Sequence, residues 1–320
     1  VLDLPQLIFT DPATDPYTSV GANGSAPNSW NLEVQRTLTS TIGNDAYDVG
    51  HFFGHRGGGG SAGDIGNVCR NPSNNNDDTS KGAGITSPAE DNKPFGDNFD
   101  IDYVAHELGH QVGAEHSFTF TIHSNVAALE PGSGSTIMGY AGITSSNAQQ
   151  HSDSYFHAVS ILQANNYLNS QSCGTNTPIT TNNPPVLAVM PDKTIPKGTA
   201  FVLTAAATDA ENDPMTYTWE QSDAASSSPT SVTGNNTTGP KFRSLLGTTD
   251  PSRYFPRLSS VLNGTLSSAT NWEAVSNVAR TINSRVTVTA PHLAPTKHHT
   301  QFGNPQITEG NTPTDHTYEH

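Results

Sequence analysis

Residues 106–116 read His-Glu-Leu-Gly-His-Gln-Val-Gly-Ala-Glu-His. Side chains four residues apart share one face of an α-helix, so His106 and His110 can direct their imidazoles at one metal ion. Glu107 stands beside the first ligand and can reach a metal-bound water without ligating the metal. Gly113 tolerates a positive φ, so the chain can turn there and return His116 as a third ligand. The spacing therefore predicts a metal centre on a short helix that ends near Gly113.

The number of ligands indicates the kind of metal site. Three protein ligands leave the fourth position of a tetrahedral zinc ion open, which is typical of catalytic rather than structural zinc. Neutral imidazoles also leave the ion its full charge to polarise a carbonyl and to acidify water. Five fixed positions make a chance match a poor explanation; the alternative is a helix that happens to carry three histidines.

The same eleven residues match the HExxHxxGxxH signature of the metzincin zinc peptidases. Downstream, residues 135–140 read Ser-Thr-Ile-Met-Gly-Tyr and resemble the Met-turn of that clan. The resemblance implies that Met138 supplies an apolar floor under the three imidazoles. It also implies that Tyr140, as in astacins and serralysins, ligates the metal and then swings to stabilise an oxyanion. An ordinary core methionine and a packed tyrosine are the alternatives.

Further stretches resemble bacterial reprolysin-like (M12B-type) secreted proteases, and the resemblance covers most of residues 1–173. The quoted segments are 99–105, 130–135 and 153–157. The resemblance implies an α+β catalytic domain, in which a twisted mixed sheet precedes the zinc helix and an antiparallel edge strand pairs with substrate. The glycine-rich segment 57–66 is the candidate edge, since missing side chains let a peptide backbone approach. The expected edge residues are Gly59, Gly60, Ser61, Ala62 and Gly63, and a mobile glycine loop is the alternative.

The resemblance implies a secreted zinc-dependent endopeptidase. Zinc-bound water would attack the peptide bond, with Glu107 as general base and then general acid. One alternative is a surface-binding or adhesive protein whose β-module carries the function and whose metzincin domain is trimmed and inactive. Another is a zinc hydrolase that acts on a non-peptide amide. Metzincin domains of this type begin with a strand and a long helix ahead of the region that matches Val1, and we expect those elements to be missing.

The rest of the chain predicts a second, all-β domain. After the catalytic domain (1–175) comes a Thr-Asn-Pro linker (176–185), then a β-sandwich with an irregular insertion (186–290) and a weakly structured tail (291–320). Residues 183–186 and 197–203 look like the start of an immunoglobulin-like sandwich, and residues 208–219 resemble PKD or cadherin-like modules. Trp219 would be the core tryptophan between the sheets. The turn carries oxygen ligands for Ca²⁺ at Asp209, Glu211 and Asp213, and a solvated acidic turn is the alternative.

Composition restricts the partners. The 320 residues carry 14 Lys+Arg against 29 Asp+Glu, a formal charge of −15, which disfavours nucleic acid and anionic membranes. No apolar run approaches the ~20 residues of a membrane span. A protein or peptide substrate therefore fits this composition better than nucleic acid or a membrane.

Two cysteines, Cys69 and Cys173, suffice for one disulfide in an extracellular protein, and two buried thiols are the alternative. The other histidines lack ligand spacing, and we expect surface or hydrogen-bonded roles for His51, His55, His123, His151 and His157.

Overall fold

The computed structural model describes residues 4–21, 26–73, 78–89, 93–175, 182–228, 231–291 and 298–310. The chain divides into two compact units. The first comprises Val1–Glu115 and Ser160–Asn176, and the second comprises His116–Val159 and Thr177–His320. No helix among the described residues is long and apolar enough to cross a membrane.

The first unit contains a three-stranded mixed sheet. Its strands are β1 (His51–Phe53), β2 (Gly59–Ser61) and β3 (Gly84–Ser87). β3 is central, parallel to β1 and antiparallel to β2. All four residues of β3 are buried, as expected for the middle strand of a sheet that is covered by helices. The α+β character and the mixed sheet agree with the prediction, and β2 lies at one edge.

Helical segments accompany this sheet, and the first of them packs against it. Helix α1 (Trp30–Thr41) buries Trp30 and Val34 against Ile85 of β3. A π-helical segment (Asn98–Ala105) continues directly into α2 (His106–Gln111). Helix α3 (Ala158–Asn169) follows much later in the chain, and two short 3₁₀ turns occupy Pro5–Leu7 and Asn44–Ala46. The apolar residues of 30–42 recur at helical spacing and predict a helix over that range, and the observed helix ends one residue earlier.

Cys69 and Cys173 form a disulfide, which confirms the predicted bridge. Their Cα atoms are 5.6 Å apart although 104 residues separate them in sequence. Both cysteines belong to the first unit, and the bridge closes a long loop that contains the whole zinc motif. Such closure stabilises a fold mainly by restricting the unfolded chain.

The second unit is rich in strands. Its longest strand, Arg280–Pro291, pairs antiparallel with three other strands, one over residues 280–283 and two over overlapping residues 284–289 and 286–291, so it organises a five-stranded sheet. The elements are β4 (Val186–Leu187), β5 (Lys193–Pro196), β6 (Phe201–Thr204), β7 (Ala207–Thr208), β8 (Thr216–Gln221), β9 (Ser252–Phe255), α4 (Leu258–Leu262), β10 (Ser267–Ser268), β11 (Glu273–Ala274), β12 (Arg280–Pro291), β13 (His298–Gly303) and β14 (Gln306–Gly310).

One apolar core joins strands from different sheets of this unit. The separate pair β6–β9 contributes Leu203 and Phe255, while β12 contributes Val286 and Val288. Trp219 of β8 is buried in this core, as predicted, and its indole N–H donates to the Pro251 carbonyl at 2.9 Å. The pairing of one polar indole N–H with a backbone carbonyl lets the large ring be buried without an unsatisfied donor.

Strands β13 and β14 lie in the stretch for which we expected a weakly structured tail. Ile307 is fully buried in the core, and β14 pairs with both β12 and β5. The sequence shows little apolar periodicity here, and the strands join the sheet through backbone pairing with β12 and β5. Residues 292–297 and 311–320 of the predicted tail, and 176–181 of the predicted linker, lie outside the described residues.

Candidate metal centre

The three histidines of residues 106–116 come together. One ring nitrogen from each of His106, His110 and His116 lies within 4.8 Å of the others. His106 and His110 are buried, and His116 is partly exposed. The Nε2 atoms of His106 and His110 are 3.1 Å apart, because the residues occupy successive turns on one face of α2. The structure thus brings together the three predicted ligands.

Gly113 provides the turn that the motif requires. Its φ is +101°, a conformation that side-chain-bearing residues rarely adopt. A Cβ at this position would also lie 2.7 Å from the Cβ of Tyr167 on α3. Both the backbone conformation and the close approach of Tyr167 therefore require glycine at position 113. The chain reverses there, just after the end of α2.

In His110 and His116, the Nδ1 atom has a hydrogen-bond partner of its own, which orients the imidazole ring. The Ala114 carbonyl lies 2.7 Å from His110 Nδ1, so Nδ1 carries the proton and Nε2 presents its lone pair. His116 Nδ1 lies 2.8 Å from Nδ1 of His123. A set of three neutral imidazole nitrogens is a donor set that suits zinc. These residues therefore fit Zn²⁺.

Glu107 occupies a tight, buried place between α2 and β2. Its carboxylate accepts the Ala62 backbone N–H, and a Cβ on Gly60 would lie 2.6 Å from its Oε1. In the chain without an ion, burial raises the pKa of Glu107 to about 8, although the Ala62 N–H acts in the opposite direction. A carboxyl whose pKa is raised in this way suits proton transfer near neutral pH.

The glycine-rich segment supplies the strand that packs against Glu107. Gly59, Gly60 and Ser61 form β2, and Ala62 and Gly63 follow directly. β2 pairs with β3 along one side and forms the edge of the three-stranded sheet. Absence of a side chain at Gly60 is what lets the Glu107 side chain lie against the strand.

Residues 135–140 are held in place by the buried carboxylate of Glu130. Glu130 accepts hydrogen bonds from the backbone N–H groups of Ser135 (2.8 Å) and Thr136 (3.2 Å). The hydroxyls of Ser117 (2.6 Å), Ser135 (3.2 Å) and Thr136 also donate to it. Ser117 follows the ligand His116 directly, so Glu130 connects this segment to the end of the zinc motif.

The two predicted residues of this segment, Met138 and Tyr140, have different surroundings. Met138 is fully buried, and its carbonyl accepts the Ser117 N–H at 3.1 Å. Tyr140 is partly exposed, and its ring lies edge-on to the His116 imidazole with 4.6 Å between centroids. The structure thus places the phenol beside a metal ligand.

The acidic turn shows no metal-binding cluster. Asp209 Oδ1 accepts the backbone N–H groups of Glu211 (3.0 Å) and Asp213 (2.9 Å), which closes the turn. The described residues contain no cluster of ligand atoms from Asp209, Glu211 and Asp213. Calcium at this turn is therefore not supported.

The roles of two residues near the centre, Gln111 and Glu130, were missed from the sequence. Gln111 ties α2 to the sheet: its Oε1 lies 2.7 Å from His51 Nδ1, and its Nε2 donates to the Gly50 carbonyl at 3.1 Å. Burial lowers the pKa of His51. Neither Gln111 nor Glu130 carries a spacing signal that identifies its partners, whereas His123, expected to be a surface or hydrogen-bonded histidine, is hydrogen-bonded to His116.

The family of the chain follows from a comparison of its sequence with family models. A model described as metallo-peptidase family M12B, reprolysin-like, matches residues 3–168, just over half of the 320-residue chain. No curated protein and no solved structure matches the chain. The matched region contains all three histidines, Glu107 and Tyr140. The chain therefore belongs to the M12B reprolysin-like family of metallopeptidases.

Proposed function

We propose that this chain is a secreted, zinc-dependent endopeptidase in which Glu107 moves the proton. The observation that carries the proposal is the cluster of three imidazoles with a buried carboxylate on the adjacent residue. Zinc, when bound, acts as a Lewis acid and lowers the pKa of water. Glu107 takes the proton of the attacking water and delivers it to the leaving amine.

The surroundings of Glu107 suit this role. The carboxylate is held by the Ala62 N–H and by contact with Gly60, so its orientation costs little when the reaction begins. Tyr140, beside His116, is the residue that would donate a hydrogen bond to the developing oxyanion. Met138, buried in the same segment, is proposed as the apolar floor of the centre.

An extended peptide is the proposed substrate. A strand at a sheet edge has a row of backbone groups that a peptide can pair with, and β2 lies at such an edge next to Glu107. Gly59, whose Cβ position has nothing within 4 Å, leaves room for an approaching backbone. Flexible loops and denatured chains offer the extended conformation that this mode of binding requires.

The Cys69–Cys173 disulfide supports export to an oxidising compartment. An adhesive protein with an inactive catalytic domain is not favoured, because the ligands and Glu107 are all present and assembled in a peptidase family. A hydrolase of non-peptide amides would need no edge strand beside its catalytic carboxylate.

The test is hydrolysis of casein by the purified chain, with and without a zinc chelator, together with its metal content. We expect about one zinc per chain and cleavage that stops when zinc is removed. Glu107→Gln should retain the zinc and lose about 10²–10⁴-fold or more in rate, since it cannot accept a proton. Cleavage by this variant at near wild-type rate, or a zinc-loaded wild type that cleaves nothing, would refute the proposal.

A further inference from the structure

Trp272 lies outside the family match but in the same unit as residues 116–159. Its backbone φ is +54°, which is rare for a bulky residue and persists only where the surroundings determine it. The indole N–H donates to the Asn147 carbonyl at 3.1 Å, and the residue is buried. A Cβ on Gly132 would lie 2.8 Å from the ring, and Ala148 packs against the same cluster.

Arg243 holds the next two residues. Its guanidinium donates to the Ala148 carbonyl at 3.1 Å and to the side-chain oxygen of Gln149. Arg243 is itself almost fully buried, so these bonds are made away from bulk water. Trp272 and Arg243 together fix Asn147, Ala148 and Gln149, three consecutive residues of one loop.

That loop, residues 141–152, directly follows Tyr140, and short contacts connect its fixed part to the metal centre. The Ala148 N–H donates to Ser133 Oγ, and the Ser133 N–H donates to the Ser146 carbonyl, both at 2.9 Å. The Ser133 carbonyl in turn accepts the Tyr140 N–H at 2.7 Å. Ser133 thus joins the loop to the tyrosine whose ring contacts His116.

We propose that Trp272 and Arg243 are positioning residues that order loop 141–152, and that through this loop they determine which peptides the enzyme accepts. The part about peptides rests on the proposed function. The segment after Tyr140 begins at the metal centre, so its conformation shapes the space in which a substrate side chain would lie. The C-terminal region is then a part of the peptidase rather than an independent binding module.

The experiment compares Trp272→Phe and Arg243→Lys with Trp219→Phe in the zinc-loaded full chain. Trp219→Phe is the matched control because it loses an indole N–H bond to a backbone carbonyl in the same unit, far from Asn147 in sequence. Amide hydrogen exchange reports loop order without requiring activity. We expect the Ala148 and Ser133 amides to exchange about tenfold faster in the two test variants and not in the control.

Steady-state kinetics and mapping of the casein cleavage sites give the second readout. We expect KM to rise several-fold with kcat little changed, and the distribution of cleavage sites to shift, in Trp272→Phe and Arg243→Lys only. Zinc content should equal that of wild type.

Unchanged exchange at Ala148 and Ser133 in both test variants would overturn the assignment. Faster exchange with an unchanged cleavage pattern would overturn its specificity part. A wild type without peptidase activity would refute the proposed function and the specificity part with it, whereas the exchange comparison would still decide whether the two residues order the loop.

Discussion

Gly60 shows how much one missing side chain can decide. Gly60 lies opposite Glu107, and the Glu107 side chain occupies the space that a Cβ on residue 60 would take. Composition alone predicts only a flexible or closely approached segment for such a glycine-rich stretch. The structure indicates close approach, and the approaching group is the proposed catalytic carboxylate.

At this scale we predict the effect of Gly60→Ala. The added methyl should displace the Glu107 side chain and lower kcat/KM on a peptide substrate by about 10–100-fold, because small misplacements of reacting groups are costly. Zinc content should not change. Gly174→Ala is the control, since nothing lies within 4 Å of its Cβ position, and we expect wild-type kinetics for it. Equal activity of the two variants would show that the approach to Glu107 is unimportant.

At the scale of elements, residues 135–140 owe their conformation to Glu130 rather than to a helix or a strand. One buried carboxylate accepts four hydrogen bonds from Ser117, Ser135 and Thr136, and the Ser135 hydroxyl shares its single proton between this carboxylate and the Ser244 carbonyl. Hydrogen bonds to a charged group stabilise more than neutral ones, and a buried donor without its acceptor costs about 1–3 kcal/mol. Removal of the acceptor should therefore affect the whole segment.

We predict a graded loss of stability in two variants. Ser117→Ala removes one donor and should lower the free energy of unfolding by about 1 kcal/mol. Glu130→Ala leaves several buried donors unsatisfied and should lower it by about 3 kcal/mol or more. Chemical denaturation measures both. Glu130→Ala should also weaken zinc binding in a chelator competition, because Ser117 follows His116; equal effects of the two variants would contradict this account.

At the scale of the molecule, residues 116–159 form one compact unit with residues that follow 176. The Ala158 N–H donates to Glu220 at 2.8 Å, and the Tyr155 and Ser135 hydroxyls bond to Ser244 at 2.7 and 3.1 Å. Burial raises the pKa of Glu220, while the neighbouring His157 and Ser244 lower it. Several polar groups of residues 116–159 thus find their partners in the C-terminal region.

We predict that a chain cut after residue 175 loses the order of residues 116–159. Several buried groups would lose their partners at about 1–3 kcal/mol each, which is comparable to the ~5–15 kcal/mol of a whole domain. Limited proteolysis should cleave the shortened chain between residues 116 and 159 while the full chain resists. A shortened chain that binds zinc and cleaves casein like the full one would show that the C-terminal region is dispensable.

Much of the site could be predicted because its geometry is local. The i, i+4 spacing of His106 and His110 acts within one helix, and the positive φ of Gly113 concerns one residue. Helix α1 was predicted within one residue at its C-terminal end, since its apolar positions follow the helical period. The pairing of Cys69 with Cys173 could be predicted because the chain contains only two cysteines.

Three candidate metal ligands, the neighbouring carboxylate and the family could thus be predicted from residue spacing and motif. The three-dimensional fold was needed to see that Gly60 faces Glu107, that Glu130 holds residues 135–140, and that Trp272 bonds to Asn147. It also decided that residues 298–310 are strands of the β12 sheet. The physical reason is that local spacing encodes geometry within one helix or turn, whereas these contacts join residues far apart in sequence, and no single residue's pattern specifies its distant partner.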